Sequence, residues 1–237
     1  KSIKTSCSFN SSMFAKRMEN VLESGTVKTA NLVSKLKGEG ADIISFSMGE
    51  PDFHTPENIK EACMRSLANN FTYYTPSAGI PELRRAIADR CRRLNNIPCD
   101  ASNVLVTPTK QAIFMTMLAM VDEGDEVILP DIAWGTFEAC ARLAGGKVRH
   151  AHLSADNAFR MTPEAVVEKV TDRTKLLVLN SPSNPCGAVL TKGDVKGIAD
   201  LAQDHGFFVL ADEIYNQLVF EGEHVSISSL EGMFDRT

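Results

Sequence analysis

The chain has 237 residues, of which 43% are hydrophobic, enough to bury one large α/β domain or one domain with a smaller piece. Its formal net charge is −5 with no long run of either sign, which argues against a nucleic-acid or anionic-membrane surface. No stretch approaches about 18 uninterrupted apolar residues, and the polar N-terminus lacks a signal-peptide core, so a cytoplasmic address without a membrane partner is expected. Helical spacing begins over 27–37 and gives way to a short apolar run, 42–46. The turn-rich Gly49-Glu50-Pro51-Asp52-Phe53 follows. Thr55-Pro56-Glu57 then offers a capping hydroxyl before a proline at the first helical position, opening a helix toward Asn69. A second helix starts near Pro81, where Leu83, Ile87, Cys91 and Leu94 recur at helical spacing.

From there strand and helix signals alternate. NVLVT (103–107) reads as a strand leading into an apolar helix over 110–121, and EVILP (126–130) as a strand feeding a helix near Trp134. KVRHAHL (147–153) is the next strand. Thr162-Pro163-Glu164 caps a helix that precedes the strand KLLVLN (175–180). Thr191 and Asp194 stand in capping-box spacing for a helix ending near His205, and FFVLAD (207–212) closes the series. Short apolar strands alternating with longer helices predict an α/β fold, a mainly parallel sheet with helices on both faces.

Several chemistries lack their minimum parts. The six cysteines, Cys7, Cys63, Cys91, Cys99, Cys140 and Cys186, form no C-x-x-C pair and read as free thiols. His150 and His152 fall on one face of a strand without a third ligand, so no metal site is expected. There is no G-x-G-x-x-G, Walker A or H-E-x-x-H sequence.

Ligands of parallel sheets gather at the carboxyl ends of the strands. Asp212, Asn184, Trp134 and the 107–111 turn converge on that edge. Each also has a plainer reading. Asp212 alone would be a helix cap or a loop salt bridge, Asn184 and Gly187 turn residues, and Trp134 a core side chain at a helix–sheet junction.

The segments FFVLADEIY (207–215), Asn180-Ser181-Pro182-Ser183-Asn184-Pro185-Cys186-Gly187, the Gly49–Phe53 turn, and Tyr73-Tyr74-Thr75-Pro76-Ser77-Ala78-Gly79 with Ile80-Pro81-Glu82-Leu83-Arg84 occur in one order. In that order they resemble class I/II (fold-type I) pyridoxal-phosphate (PLP) aminotransferases, in particular prokaryotic aspartate aminotransferases. The resemblance implies PLP as cofactor and a role for each matching residue. Asp212 would sit beside the pyridine nitrogen and keep it protonated, so that the ring acts as an electron sink. Tyr215 and Asn184 would hydrogen-bond the ring's phenolic oxygen, and Trp134 would stack on the ring. The backbone N–H groups of Thr109, Lys110 and Gln111 would hold the phosphate. Gly49, Trp134 and Asn184 would face the substrate, and Tyr74 would reach the phosphate of a neighbouring subunit. Ser24-Gly25-Thr26 occupies the place of a substrate-entrance segment. One departure stands out: Thr107-Pro108-Thr109-Lys110-Gln111 lacks the family's usual glycine and is one residue shorter.

By the same resemblance residues 1–50 form an N-terminal arm and small-domain segment, and 51–237 a PLP-binding large domain incomplete at its C-terminal end. A homodimer with shared active sites is implied. So is ping-pong transfer of an amino group between an amino acid, aspartate or similar, and a 2-oxo acid. No lysine follows Lys196, whereas the family places its PLP-bonding lysine beyond the Asp/Tyr pair. Lys110, Lys192 and Lys196 are poor substitutes, and an N-terminal part of a longer enzyme is expected. A carbon–sulfur β-lyase of the same fold and a non-catalytic PLP-binding module are the alternatives.

Overall fold

The structure, a computed structural model, describes residues 15–20, 25–46, 49 and 51–237. Three helices come first: α1 (Gly25–Gly38), α2 (Glu57–Ala68) and α3 (Pro81–Asn95). Then α4 (Thr109–Met120), β1 (Glu126–Pro130), α5 (Thr136–Leu143), β2 (Lys147–Ala151), α6 (Pro163–Val167), β3 (Thr174–Asn180), α7 (Lys192–His205) and β4 (Phe208–Asp212) alternate. The four strands form one sheet in the order β2-β1-β3-β4, parallel throughout. This is the α/β architecture that the alternating pattern predicts.

The sheet has two buried faces because side chains alternate along each strand. Val127, Leu129, Leu176, Val178, Phe208 and Leu210 turn to one side and pack with Ile113, Met117, Phe137 and Ala141 of α4 and α5. Ile128, Leu177, Leu179 and Val209 turn to the other and meet Val166 of α6 and Val195, Ile198 and Ala202 of α7. Every residue of β1 is buried, which explains the unbroken apolar run EVILP apart from its first residue. That residue, Glu126, is 2% exposed. Thr171 donates a hydrogen bond of 2.8 Å to its carboxylate, and Arg149 and Arg173 stand 3.1 and 3.2 Å away. Burial pushes the carboxyl up, but these bonds outweigh it and hold the group below the usual range.

Caps set the helix ends on the α6–α7 side. Thr191 Oγ1 accepts the Asp194 N–H at 3.1 Å and Asp194 accepts the Thr191 N–H at 2.9 Å, the expected capping box. Arg160 closes an ion pair on the same Asp194 carboxylate. Thr162 caps α6 as its spacing predicts. Thr55 does not cap α2: Pro56 takes the N-cap position and no side chain bonds there.

Two strand expectations change. Residues 103–107 are not a strand: Ala101–Asn103 form a 3-10 turn under an Asp100 cap, and the following residues carry no ladder among the described residues. Val106 instead donates to the Ala78 carbonyl at 3.0 Å. Strand propensity is local, but a ladder needs a partner edge, and β4, the sheet's last strand, pairs only with β3 among the described residues. Strand β2 stops at Ala151, leaving His152 beyond it. Asp131 ends the pairing by accepting the Leu153 N–H at 2.9 Å and meeting His152 Nδ1 at 2.7 Å.

A groove of about 510 Å³ runs along the outer edge of β4, between Phe208–Ala211 and Ile97 and Thr116. α2 buries none of its residues, and Phe53, Ile59, Met64, Leu67, Phe71 and Tyr73 are exposed beside it. No helix among the described residues is long and apolar enough to cross a membrane.

Candidate active site

The site begins with strand register. Asn180, the last residue of β3, lies directly opposite Asp212, the last of β4. Asp212 continues the Phe208, Leu210 series, and Asn180 the Leu176, Val178 series, so both belong to the sheet face covered by α4 and α5. Asn180 Nδ2 donates to the Asp212 carbonyl at 3.0 Å, and Ser181 N–H donates to the same oxygen at 3.2 Å. On its other side Asn180 Oδ1 accepts the Asn184 N–H at 2.7 Å. One amide side chain thus ties the turn carrying Asn184 to the strand end carrying Asp212. Sequence reading quoted Asn180 without giving it a role, because only the register shows what it bridges.

Asp212 is poorly satisfied for a carboxylate. Its Oδ1 accepts the Ile214 N–H at 3.2 Å, a bond to a residue two positions away. Burial raises its pKa, the neighbouring Glu213 charge raises it further, and the Ile214 N–H only partly opposes them. Such a group binds a cation or a charged N–H donor well, because the partner restores an ionisation that burial disfavours.

Between Asn184 and the sheet the turn is tight. Both Ser181–Pro182 and Asn184–Pro185 are cis. Gly187 adopts φ +69° and returns its N–H to the Ser183 carbonyl at 2.8 Å, a left-handed conformation that favours glycine. A small hollow beside this turn is lined by Asn180, Ser183 and Asn184 on one side and Ile132 and Phe159 on the other.

Trp134 stands where β1 has ended and α5 has not begun. Its half-buried ring meets Phe137 edge-on, with centroids 5.7 Å apart. A further contact comes from α4: Lys110 Nζ lies 5.3 Å from the indole centroid. The first turn of α4, Thr109, Lys110 and Gln111, is therefore beside Trp134 on the same face as Asp212. Pro108 occupies the N-cap, no side chain caps the helix, and the first helical bond is Ala112 N–H to the Pro108 carbonyl at 3.0 Å. The preceding N–H groups point at the helix's positive end and are exposed, a geometry that suits an anion despite the missing glycine.

Other candidates stand apart. Tyr215 follows Asp212 in the turn after β4 and is partly buried. Tyr74 is fully exposed and touches none of these residues, and Gly49 is exposed with open space around it. Ser24 and Glu50 lie outside the described residues. Of the lysines weighed as substitutes, Lys196 is bonded to Asp200 on the exposed side of α7. His150 and His152 each face a carboxylate, Glu138 and Asp131 respectively. Cys63, Cys91, Cys99, Cys140 and Cys186 are free thiols.

Comparison with known proteins bears on all of this. The family model "Aminotransferase class I and II" matches residues 41–235. The aspartate/prephenate aminotransferase of Thermus thermophilus is 42% identical over 213 residues, 90% of this chain and 55% of the relative. The aromatic-amino-acid aminotransferase 2 of Thermococcus litoralis is 38% identical over 224 residues, 93% of this chain and 57% of the relative. Among solved structures, the Thermus thermophilus aspartate aminotransferase with maleate superposes with a TM-score of 0.89 at 40% identity, covering 91% of this chain and 57% of that one. The chain thus spans about half the length of the relatives it matches.

Proposed function

The chain belongs to the class I and II aminotransferase family, and from that premise we propose that its full-length gene product transfers an amino group between an amino acid and a 2-oxo acid with the aid of PLP. The observation that carries the reading is the underbonded Asp212 carboxylate, held at the sheet edge through Asn180 on the face that also presents Trp134 and the open first turn of α4.

These residues fit the cofactor. Asp212 would face the pyridine nitrogen, a charged N–H donor that relieves its raised pKa. Trp134 offers a flat apolar face, and the N–H groups of Thr109, Lys110 and Gln111 an anion-binding helix start. Asn184 and Tyr215 would supply hydrogen bonds to the phenolic oxygen, with Asn180 fixing the first of them. When bound, PLP supplies an electron sink for the charge left on the substrate's α-carbon. The work of this chain's residues would be narrower: Asp212 would keep a proton on the ring nitrogen, and Trp134 would exclude water from one face. Gly49, Trp134 and Asn184 would border the substrate.

Aspartate or a similar amino acid is the substrate we favour, supported by the names of the relatives. In this reading residues 1–50 contribute an arm and small-domain segment and 51–237 the large domain. The exposed apolar surface of α2 and its flanks is the homodimer contact, with Tyr74 reaching the neighbouring phosphate. The PLP-bonding lysine would lie in the full-length product beyond Lys196, since the two lysines of α7 stand on its solvent side.

The test is an absorbance titration of the full-length product with PLP, followed by borohydride reduction and intact-mass measurement. A visible-band species and one added phosphopyridoxyl mass support the reading; neither appearing overturns it. Asp212→Ala is expected to weaken PLP binding and to lower amino transfer by about a hundredfold or more. Ammonia and pyruvate released in place of amino transfer would reassign the chemistry to a β-lyase.

A further inference from the structure

We propose that His224 is a positioning residue of this site: its buried imidazole, 3.3 Å from Glu213, holds the turn that follows Asp212 and carries Tyr215. Glu213 sits directly between the strand end and that turn. The His224 side chain is 8% exposed and that of Glu213 18%, so the pair is largely out of water. Nδ1 and Nε2 of His224 have no hydrogen-bond partner among the described residues, so the approach to Glu213 is a close contact and not a hydrogen bond. A buried imidazole without hydrogen bonds carries a desolvation cost, which the nearby carboxylate is placed to offset.

The two partners come from regions of unequal firmness. His224 is followed by Val225, which packs on the core, and by buried Ser226, Ile227 and Ser228, with the two serine hydroxyls 2.9 Å apart. The turn after β4 is held mainly by its own short bonds, Asn216 N–H to the Glu213 carbonyl at 3.0 Å and Leu218 N–H to the Tyr215 carbonyl at 2.8 Å. Ile214, Leu218 and Phe220 along it are exposed. The His224–Glu213 contact therefore fastens a lightly packed turn to a fixed segment. The Glu213 carboxylate in turn acts on Asp212 against its ionisation, so where Glu213 is held bears on the strand end. Without the imidazole, Glu213 is free to swing to solvent and pull the turn with it.

The effect on cofactor binding rests on the proposed function; the fastening of the turn does not. The experiment therefore has two readouts on the full-length gene product: hydrogen exchange of peptides spanning 212–220 in the ligand-free protein, and PLP affinity by absorbance titration. His224→Ala is expected to speed exchange in that segment, and to weaken PLP binding, each by about tenfold, while β1 and β3 keep their protection. His224→Gln, which can still donate to Glu213, should recover most of both. Adding Glu213→Gln to His224→Ala should cost little more, because the contact is already gone. Unchanged exchange and affinity in His224→Ala would overturn the proposal. So would protection lost throughout the sheet with no recovery by glutamine, the signature of a plain core residue. If His224→Ala does not fold, His224→Gln and Glu213→Gln carry the same comparison. Failure of the unmodified protein to bind PLP would remove the proposed function, while faster local exchange in the variants would still establish the fastening.

Discussion

A carboxylate that burial drives toward its neutral form carries a folding cost, and Asp212 is in that position. Its folded pKa is raised, so the group contributes to stability only while protonated, and that contribution is lost as pH rises through the folded value. Asp212→Asn removes the cost. The cofactor-free variant should therefore melt a few degrees higher than the parent at pH 7, with the difference vanishing below about pH 4, where both states bind the proton. Stability and PLP affinity would move in opposite directions, which a purely structural aspartate would not produce. Glu126 has the reverse sign. Its carboxyl is held low against burial by Thr171, Arg173 and Arg149, so its contribution is present above the unfolded value and lost as pH falls through the folded one. Glu126→Gln should cost about 2 kcal/mol at pH 7 in denaturant unfolding and progressively less below about pH 4.

Elements show which parts of the sequence speak for themselves. EVILP is a strand over the predicted residues, and the Thr191–Asp194 box starts α7 as its spacing foretells, because both signals are complete within a few residues. Residues 103–107 carry the same composition yet form no ladder, because pairing depends on another edge that no local pattern reveals. The site divides in the same way. The positions of the proposed site residues Asp212, at the end of β4, and Trp134 and Asn184, a few residues past β1 and β3, are legible from the strand pattern. Asn180 and His224 become visible only through register and burial, since each acts on a group distant in sequence. Gly197 is a further case: mid-helix glycine reads as a weakness, but a Cβ there would stand 2.5 Å from the stiff ring of Pro163 at the start of α6. Gly197→Ala, which by helix propensity alone would gain about 1 kcal/mol, should instead lower the melting temperature. A Pro163→Ala background should relieve much of that loss.

At the scale of the whole molecule, the buried faces of the sheet contrast with the apolar surface around α2, where Phe53, Ile59, Met64, Leu67 and Phe71 all meet solvent. In the proposed reading that patch is the dimer interface. Sedimentation of the full-length gene product should show a dimer, and Ile59→Glu with Leu67→Glu should shift it toward monomer and weaken PLP retention together. Loss of dimer with undiminished PLP affinity would separate the surface from the shared site. The open flank of β4 has another consequence. Phe208 to Ala211 present a greasy strand whose outward amides and carbonyls have no ladder among the described residues, and no lysine or proline interrupts it. With that margin uncovered, the chain would be a sticky template, prone to recruit extended segments from its own copies and come out of solution. Attempts to crystallise or assay it should begin by shielding that margin.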